Sequence, residues 1–274
     1  MKIDKNLQKK YLNLQSILRD MQKVVLAYSG GVDSTLLLKV GTDILGQDCI
    51  AILAISASLS KSEYNDAVNI ADLIGANLVT ITTTEMENEK YFKNDLKRCF
   101  YCKYELFSTL RQYAINHGIS FILDGSNIDD TSDYRPGLEA ADKLQIRSPL
   151  IEENLNKKDI RCLSKYFNLP TWDKPAQACL ASRVAYGHRI SPEILHKIDQ
   201  AEQILKLRGF KIVRVRYHGN QVSVEVGAEE IDKLQNRHER SYIVKRFKKI
   251  GFENVMFDEE GYKSGKLNRI LATK

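Results

Sequence analysis

The chain has 274 residues, 43 % hydrophobic and 28 % charged, with 41 Lys/Arg against 35 Asp/Glu and a net charge of +6. This is the composition of a globular protein long enough for one large core or two modest ones. No apolar run approaches the roughly 20 residues that span a bilayer, and "MKIDKNLQKKYLNLQ" lacks the apolar centre of a signal peptide, so the expectation is a cytoplasmic chain. The surplus charge sits at one end, because residues 189–274 hold 18 Lys/Arg against 12 Asp/Glu while the preceding part is neutral.

Residues 5–20 carry apolar residues at helical spacing, and "KVVLAYS" follows as a buried strand. A Ser-Gly-Gly-Val-Asp-Ser turn leads into a helix over about 33–45. "CIAILAIS" predicts a second strand and "KSEYNDAVNIADLIGA" a helix with apolar residues three and four apart. "NLVTITTT" is rich in β-branched residues and predicts a third strand. "CKYELFSTLRQYAINHG" predicts a helix, "ISFILDGSN" a fourth strand with a polar turn, and "NKKDIRCLSKYFNL" a helix stopped by Pro170. Strands alternating with helices predict an α/β fold, a parallel sheet covered on both faces, with ligands beyond the carboxyl ends of the strands. "YSGGVDS", "ISASLS" and "DGSNIDD" all fall at those ends.

After Arg189 the pattern changes. "SPEILHKIDQAEQILKLRGF" opens with a Ser-Pro helix start. "KIVRVRYH" and "QVSVEV" alternate strictly and are joined by Gly-Asn, which predicts a hairpin. One long helix through "EEIDKLQNRHERSYIVKRFKKIG" and the strand "NVMFD" complete a small α-β-β-α-β unit. The expected division is a nucleotide domain over 1–188 and a small α+β domain over 189–274 for substrate binding or oligomerisation.

The glycine turn between strand and helix forms a nest of backbone N–H groups at a helix N-terminus, suited to phosphate. Gly30 and Gly31 allow close backbone approach, and Ser29, Ser34 and Thr35 add hydroxyls. No Gly-Lys-Ser/Thr follows, so no Walker-type lysine reaches the phosphates, and Asp33 points to Mg²⁺ instead. The turn resembles the SGGxDS signature of the PP-loop ATP pyrophosphatases. The resemblance implies ATP cleaved between its α- and β-phosphates and an oxygen of the substrate activated as an adenylate.

Five cysteines, an odd number, argue against a disulfide framework. Cys49 and Cys162 lie in apolar-periodic contexts and read as core. Cys99 and Cys102 form a Cys-x-x-Cys pair, and Cys179 stands far along the chain in "PAQACLASR". Zinc wants four ligands, and no second pair supplies them. Three thiolates suit a [4Fe–4S] cluster with one iron lacking a protein ligand, where a deliverable sulfur could sit. The alternative is three reduced thiols that never meet.

"LDGSNIDDTSDYRPG", "CLASR", "VRVRYH" and "GYKSGKLN" together look like the LarE family of ATP-dependent sulfur transferases, in order and spacing from about Lys23 to Asn268. That resemblance implies work on the nickel-pincer nucleotide cofactor of lactate racemase. The substrate would be pyridinium-3,5-biscarboxylic acid mononucleotide, whose carboxylates become thiocarboxylates. Part of the family donates sulfur from a sacrificial cysteine, and part carries three cysteines and a [4Fe–4S] cluster; Cys99, Cys102 and Cys179 match the second kind. It further implies ATP phosphate and Mg²⁺ contacts at Ser29, Gly30, Gly31, Asp33 and Ser34, with support from Gly125 and Asn127 and a second metal contact at Asp129. Lys103 would neutralise the departing pyrophosphate. Arg135 and Arg183 are candidates for a substrate carboxylate or phosphate. Arg214 and Arg216 lie two apart on one strand and share a face. They either pair across the strands with Glu225 or cradle the substrate phosphate, with Glu202 and Asp232 nearby. The family also implies a homo-oligomer.

Two other activities fit parts of the pattern. A tRNA thiolase of the 2-thiocytidine synthetase type shares the loop and three cysteines. It usually carries lysine where Val32 stands, and an RNA binder needs a more extended basic surface than +6 suggests. An ammonia-using ligase of the NAD or GMP synthetase kind would not need the cysteines.

Overall fold

The computed structural model describes residues 3–132, 136–175, 178–263 and 266. The chain divides into two compact units. One comprises Met1–Ser56, Lys61–Asn88 and Lys97–Gln177, and the other Ala57–Ser60, Glu89–Leu96 and Ala178–Lys274.

The first unit opens with α1 (Lys5–Met21), capped by the Asp4 side chain, which accepts from the Leu7 backbone N–H. Then follow β1 (Val24–Tyr28), α2 (Val32–Leu45), β2 (Cys49–Ile55), α3 (Lys61–Ile74) and β3 (Asn77–Thr82). The short α4 (Glu89–Phe92) belongs to the second unit. The first resumes with α5 (Arg98–Asn116), β4 (Phe121–Leu123), α6 (Pro136–Lys143), α7 (Pro149–Glu152) and α8 (Lys157–Tyr166).

Its sheet has the order β3-β2-β1-β4, and every pairing is parallel. Parallel neighbours need helical crossovers, and these bury both faces. On one face Val25, Ala27, Ile50 and Ile52 pack with Phe107, Leu110 and Ala114 of α5 and Ala140 and Ala141 of α6. The alternate positions Leu26, Ala51 and Leu53 are equally buried, and α2 covers the sheet with α1 and α8 packed against it. The chain runs outward from β1 through β2 to β3, then returns to lay β4 on the other side of β1. The order in which strands are added reverses at β1, and the loops after β1 and β4 flank that switch point, where such sheets bind ligands.

The second unit contains α9 (Pro192–Leu207), β5 (Val213–Tyr217), β6 (Gln221–Val226), α10 (Ile231–Gln235), α11 (Arg237–Ile250) and β7 (Asn254–Phe257). The Ser191 hydroxyl caps α9 by accepting from the Ile194 N–H. β5 and β6 form the expected hairpin, turning at Gly219 with φ +88°, and β7 adds parallel to β6. Val213, Val215, Val222 and Val224 form its core with Leu195, Ile198 and Leu205 of α9 and Ile243 and Phe247 of α11.

The long helix expected over 229–251 is two helices. Asn236 leaves helical geometry at φ −59° and ψ 124°, and its side chain accepts from the N–H groups of His238 and Glu239. A capped restart satisfies those donors while Leu234, Ile243 and Phe247 stay buried.

Candidate functional site

At the end of β1 the backbone turns through Gly30, whose φ of +69° suits glycine. A Cβ there would stand 2.7 Å from the Ala67 Cβ of α3, so the close packing also requires glycine. Gly31 is the N-cap of α2, and a Cβ on it would meet only the Ser29 hydroxyl, at 3.4 Å. The Ser34 hydroxyl ties the loop together, accepting from the Ser29 N–H at 3.3 Å, donating to the Gly31 carbonyl at 3.3 Å and lying 3.0 Å from the Ser29 hydroxyl. Across the switch point the turn after β4 presses on the same helix. A Cβ on Gly125 would fall 2.8 Å from the Ser34 backbone nitrogen.

Asp33, in the first turn of α2, is held from two sides. Lys157, the first residue of α8, places its ammonium 2.6 and 2.5 Å from the two carboxylate oxygens. The Asn127 amide donates to the same group at 3.5 Å. Asn127 is fully buried, and its amide nitrogen also donates to Asp130 at 3.0 Å. Burial pushes the Asp33 carboxyl above the ordinary carboxylate range, against the opposing pull of Lys157. Asp129 accepts from the Lys157 backbone N–H at 2.8 Å, so it fixes the start of α8. Lys174 also reaches the loop, donating to the Gly30 carbonyl at 3.4 Å and to Asp66 at 3.3 Å.

Ser29, Gly30, Gly31, Asp33, Ser34, Gly125, Asn127 and Asp129 therefore form one constellation. Lys157 and Lys174 join it without a sequence signal. The glycine turn with its open Gly31 edge fits a phosphate chain, and Asp33 fits a divalent cation bound with it.

Helix α5 begins at Arg98, earlier than its apolar pattern shows, so Cys99 and Cys102 lie within its first turns, both half-buried. Three residues apart, they share one face of the helix. The buried Arg98 guanidinium points at the Cys99 sulfur at 3.8 Å. The next residue, Lys103, carries its stem along α6, where a Cβ on Gly137 would stand 3.0 Å from the Lys103 Cγ; its ammonium lies 5.2 Å from the centre of the Phe107 ring. All five cysteines are thiols outside disulfides. Among the described residues no group of three or more His, Cys, Asp or Glu side chains is arranged to hold a metal ion. The Cys99/Cys102 pair fits two of the three thiolates a cluster needs.

In the second unit Cys179 is exposed at the N-cap of a 3-10 turn over Leu180–Arg183. Arg183 folds back over that turn, donating to the carbonyls of Ala178 and Cys179, the latter at 3.0 Å. Its other edge meets Glu202 as a bidentate pair at 2.9 and 3.1 Å, both residues 3 % exposed. Glu202 also accepts from the Val215 N–H at 3.0 Å, which links α9 to β5. Beneath the same turn, Asn94 donates to the carbonyls of Val184, Ala185 and His188.

Arg214 and Arg216 are both buried on β5. Arg216 pairs with Glu225 at 3.2 Å across the two strands and donates to the Ser182 carbonyl at 2.9 Å. Arg214 lies 4.9 Å from the centre of the Tyr262 ring, and burial, aided by Arg183, holds its guanidinium below its ordinary range. Three guanidinium groups thus stand with two carboxylates, Glu202 and Glu225, in a region shielded from water. Lys266 approaches Glu225 at 3.8 Å and binds Asp258 at 2.5 Å. Asp232 sits exposed on α10. Arg135, and most of the "KSGKLN" segment, lie outside the described residues.

A family model described as NAD synthase matches residues 6–98, from α1 to the edge of the cysteine pair. An uncharacterized protein of Synechocystis sp. is 43 % identical over 265 residues, 97 % of this chain and 99 % of its own. An uncharacterized protein of Methanocaldococcus jannaschii is 32 % identical over 96 % of each chain. The pyridinium-3,5-bisthiocarboxylic acid mononucleotide synthase of Lactiplantibacillus plantarum is 33 % identical over 96 % of this chain and 95 % of its own. Identity of that extent along nearly the whole of both chains places this protein in the LarE-type sulfur transferases, PP-loop enzymes that use ATP to transfer sulfur.

Proposed function

We propose that this enzyme converts the carboxylates of pyridinium-3,5-biscarboxylic acid mononucleotide to thiocarboxylates, for the nickel-pincer cofactor of lactate racemase. What carries the reading is likeness to the Lactiplantibacillus synthase along nearly the full chain, joined to a buried group of three arginines with two carboxylates in the second unit. Guanidinium groups bind carboxylate and phosphate oxygens in bidentate fashion, and this substrate has two carboxylates and a phosphate.

In the first step a substrate carboxylate oxygen attacks the α-phosphorus of ATP. An acyl adenylate forms and pyrophosphate leaves. Ser29, Gly30, Gly31 and Ser34 cradle the phosphates, while Asp33, supported by Asn127, contacts Mg²⁺. Asp129 serves by setting the start of α8, and Lys103 counters charge on the departing pyrophosphate. In the second step sulfur attacks the acyl carbon, and AMP departs with the carboxylate oxygen. Arg214 and Arg216 hold the substrate phosphate. Arg183 and Glu202 hold the Cys179 turn, and Asp232 and Arg135 are further candidates for substrate contact by the family likeness.

Cys99, Cys102 and Cys179 are the residues that would hold a [4Fe–4S] cluster, which supplies a renewable sulfur when bound. The sacrificial alternative consumes Cys179 alone. Iron and sulfide analysis of protein purified without oxygen, with a visible spectrum, separates the two. Under the cluster reading Cys99→Ala, Cys102→Ala and Cys179→Ala each lose the absorbance. If only Cys179→Ala loses sulfur transfer, and the spent protein is lighter by hydrogen sulfide, Cys179 is the donor. The function itself is tested by incubating the enzyme with the mononucleotide, ATP, Mg²⁺ and sulfide. A thiocarboxylate product with AMP and pyrophosphate supports it; thiolation of bulk tRNA in its place overturns it. The enzyme acts as a homo-oligomer in this proposal, which light scattering checks.

A further inference from the structure

The two shortest contacts of the phosphate-loop constellation belong to Lys157, which no feature of the sequence singles out. Its ammonium sits 2.6 and 2.5 Å from the two oxygens of Asp33 and so occupies the side on which one cation would take both. A divalent cation needs one of those oxygens at about 2.1 Å. The ammonium and the cation, both positive, therefore compete for this carboxylate.

The lysine's attachment and its tip are held differently. Its backbone N–H is fixed by Asp129 at 2.8 Å, and α8 begins under a capping box in which Asn156 accepts from the Asp159 N–H and Asp159 from the Asn156 N–H. Asp159 is itself tied to Lys10 of α1 at 2.7 Å. The anchor is rigid, whereas the four-carbon stem is about one-third exposed and turns freely about its single bonds. An ammonium that leaves Asp33 stays beside the glycine turn, whose own residues include no lysine and which otherwise meets Lys174 at the Gly30 carbonyl.

We propose that Lys157 is a nucleotide-binding residue that competes with the divalent cation for Asp33. Cation arriving with the nucleotide displaces the ammonium, which then takes the phosphate oxygens. Free cation, bringing no phosphates, gives the ammonium nowhere to go and binds poorly. The loop thereby selects the cation–nucleotide complex over either component. Asp129, through the Lys157 backbone, is a positioning residue for this exchange. The inference rests on the reading of Asp33 as the cation contact.

The test measures Mn²⁺ affinity by the electron paramagnetic resonance signal of the free ion, with and without the non-hydrolysable ATP analogue AMPCPP. Wild type, Lys157→Met, Lys157→Gln and Asp33→Asn are compared, and a thermal melt checks that each folds. Lys157→Met should bind Mn²⁺ without nucleotide roughly tenfold more tightly than wild type, the competing charge being gone. The same variant should bind the Mn²⁺–AMPCPP complex roughly tenfold more weakly, because a phosphate contact is lost. Lys157→Gln should behave alike and decides the matter if the Met variant misfolds. A merely structural lysine would weaken both affinities together or neither, and that result overturns the proposal while Asp33→Asn still abolishes nucleotide-dependent Mn²⁺ binding. If Asp33→Asn leaves that binding intact, the reading of Asp33 fails and the proposal with it.

Discussion

At Asp33, burial raises the cost of the negative charge and Lys157 offsets it. A charged side chain kept under those terms needs a cationic partner throughout, whether an ammonium or a metal ion. Removing it should leave the glycine turn standing, since Ser34 and Ser29 hold that turn by their own hydrogen bonds. Asp33→Ala is therefore expected to melt within a few degrees of wild type yet to release pyrophosphate at least about a hundredfold more slowly, as losses of direct phosphate-centre stabilisation do. Coupled-enzyme detection of pyrophosphate measures this, and near-normal release would show that the loop works without a cation at this residue. Asp33 was legible in the sequence because the Ser-Gly-Gly-x-Asp-Ser spacing puts it in the first helical turn. Lys157 was not, because 124 residues separate it from Asp33 and only the return of the chain to β4 and α8 closes that gap. Likewise, Arg214 and Arg216 were visible as a same-face pair, whereas the contact of Arg216 with Glu225 depends on the register of β5 against β6, which the pattern does not report.

Elements meet closely where the turn after β4 touches α2. Gly125 has an ordinary φ, so its requirement is spatial: a Cβ would enter the space of the Ser34 backbone, which cannot give way as a side-chain end would. Gly125→Ala should cost about 1–3 kcal/mol of stability and weaken nucleotide binding by moving the turn away from the helix start. Calorimetric titration with the ATP analogue measures the second effect. Unchanged affinity would show that the two loops are independent. β1, β2 and the long helices of the first unit stand out in the sequence because each buries several apolar residues. Where the reading failed, a local cap overrode the period. Asn236 divides α10 from α11, its side chain capping the restart. Asn236 and Glu239 do carry the Asn-x-x-Glu signal of a helix start, which could have located the break. The short helices α4, α6 and α7 offer too few residues for any period to declare itself.

Over the whole molecule the two units carry different chemistry. The first has the glycine turn and the Cys-x-x-Cys pair; the second has the exposed Cys179 and the arginine group. No helix among the described residues is long and apolar enough to cross a membrane. If the second unit holds the proposed mononucleotide, Arg214→Met should raise its KM roughly tenfold while the KM for ATP stays within about twofold. Steady-state kinetics with each substrate varied in turn reads this split, and a parallel rise in both constants would contradict it. The central claim is that ATP activates a carboxylate oxygen, and the oxygen atom itself can be followed. With the mononucleotide labelled by ¹⁸O in its carboxylates, mass spectrometry of the nucleotide products should find the label in AMP and none in pyrophosphate, with thiocarboxylate formed alongside. Unlabelled AMP accompanying thiocarboxylate formation, or label in pyrophosphate, would contradict adenylation as the way this enzyme opens its substrate to sulfur.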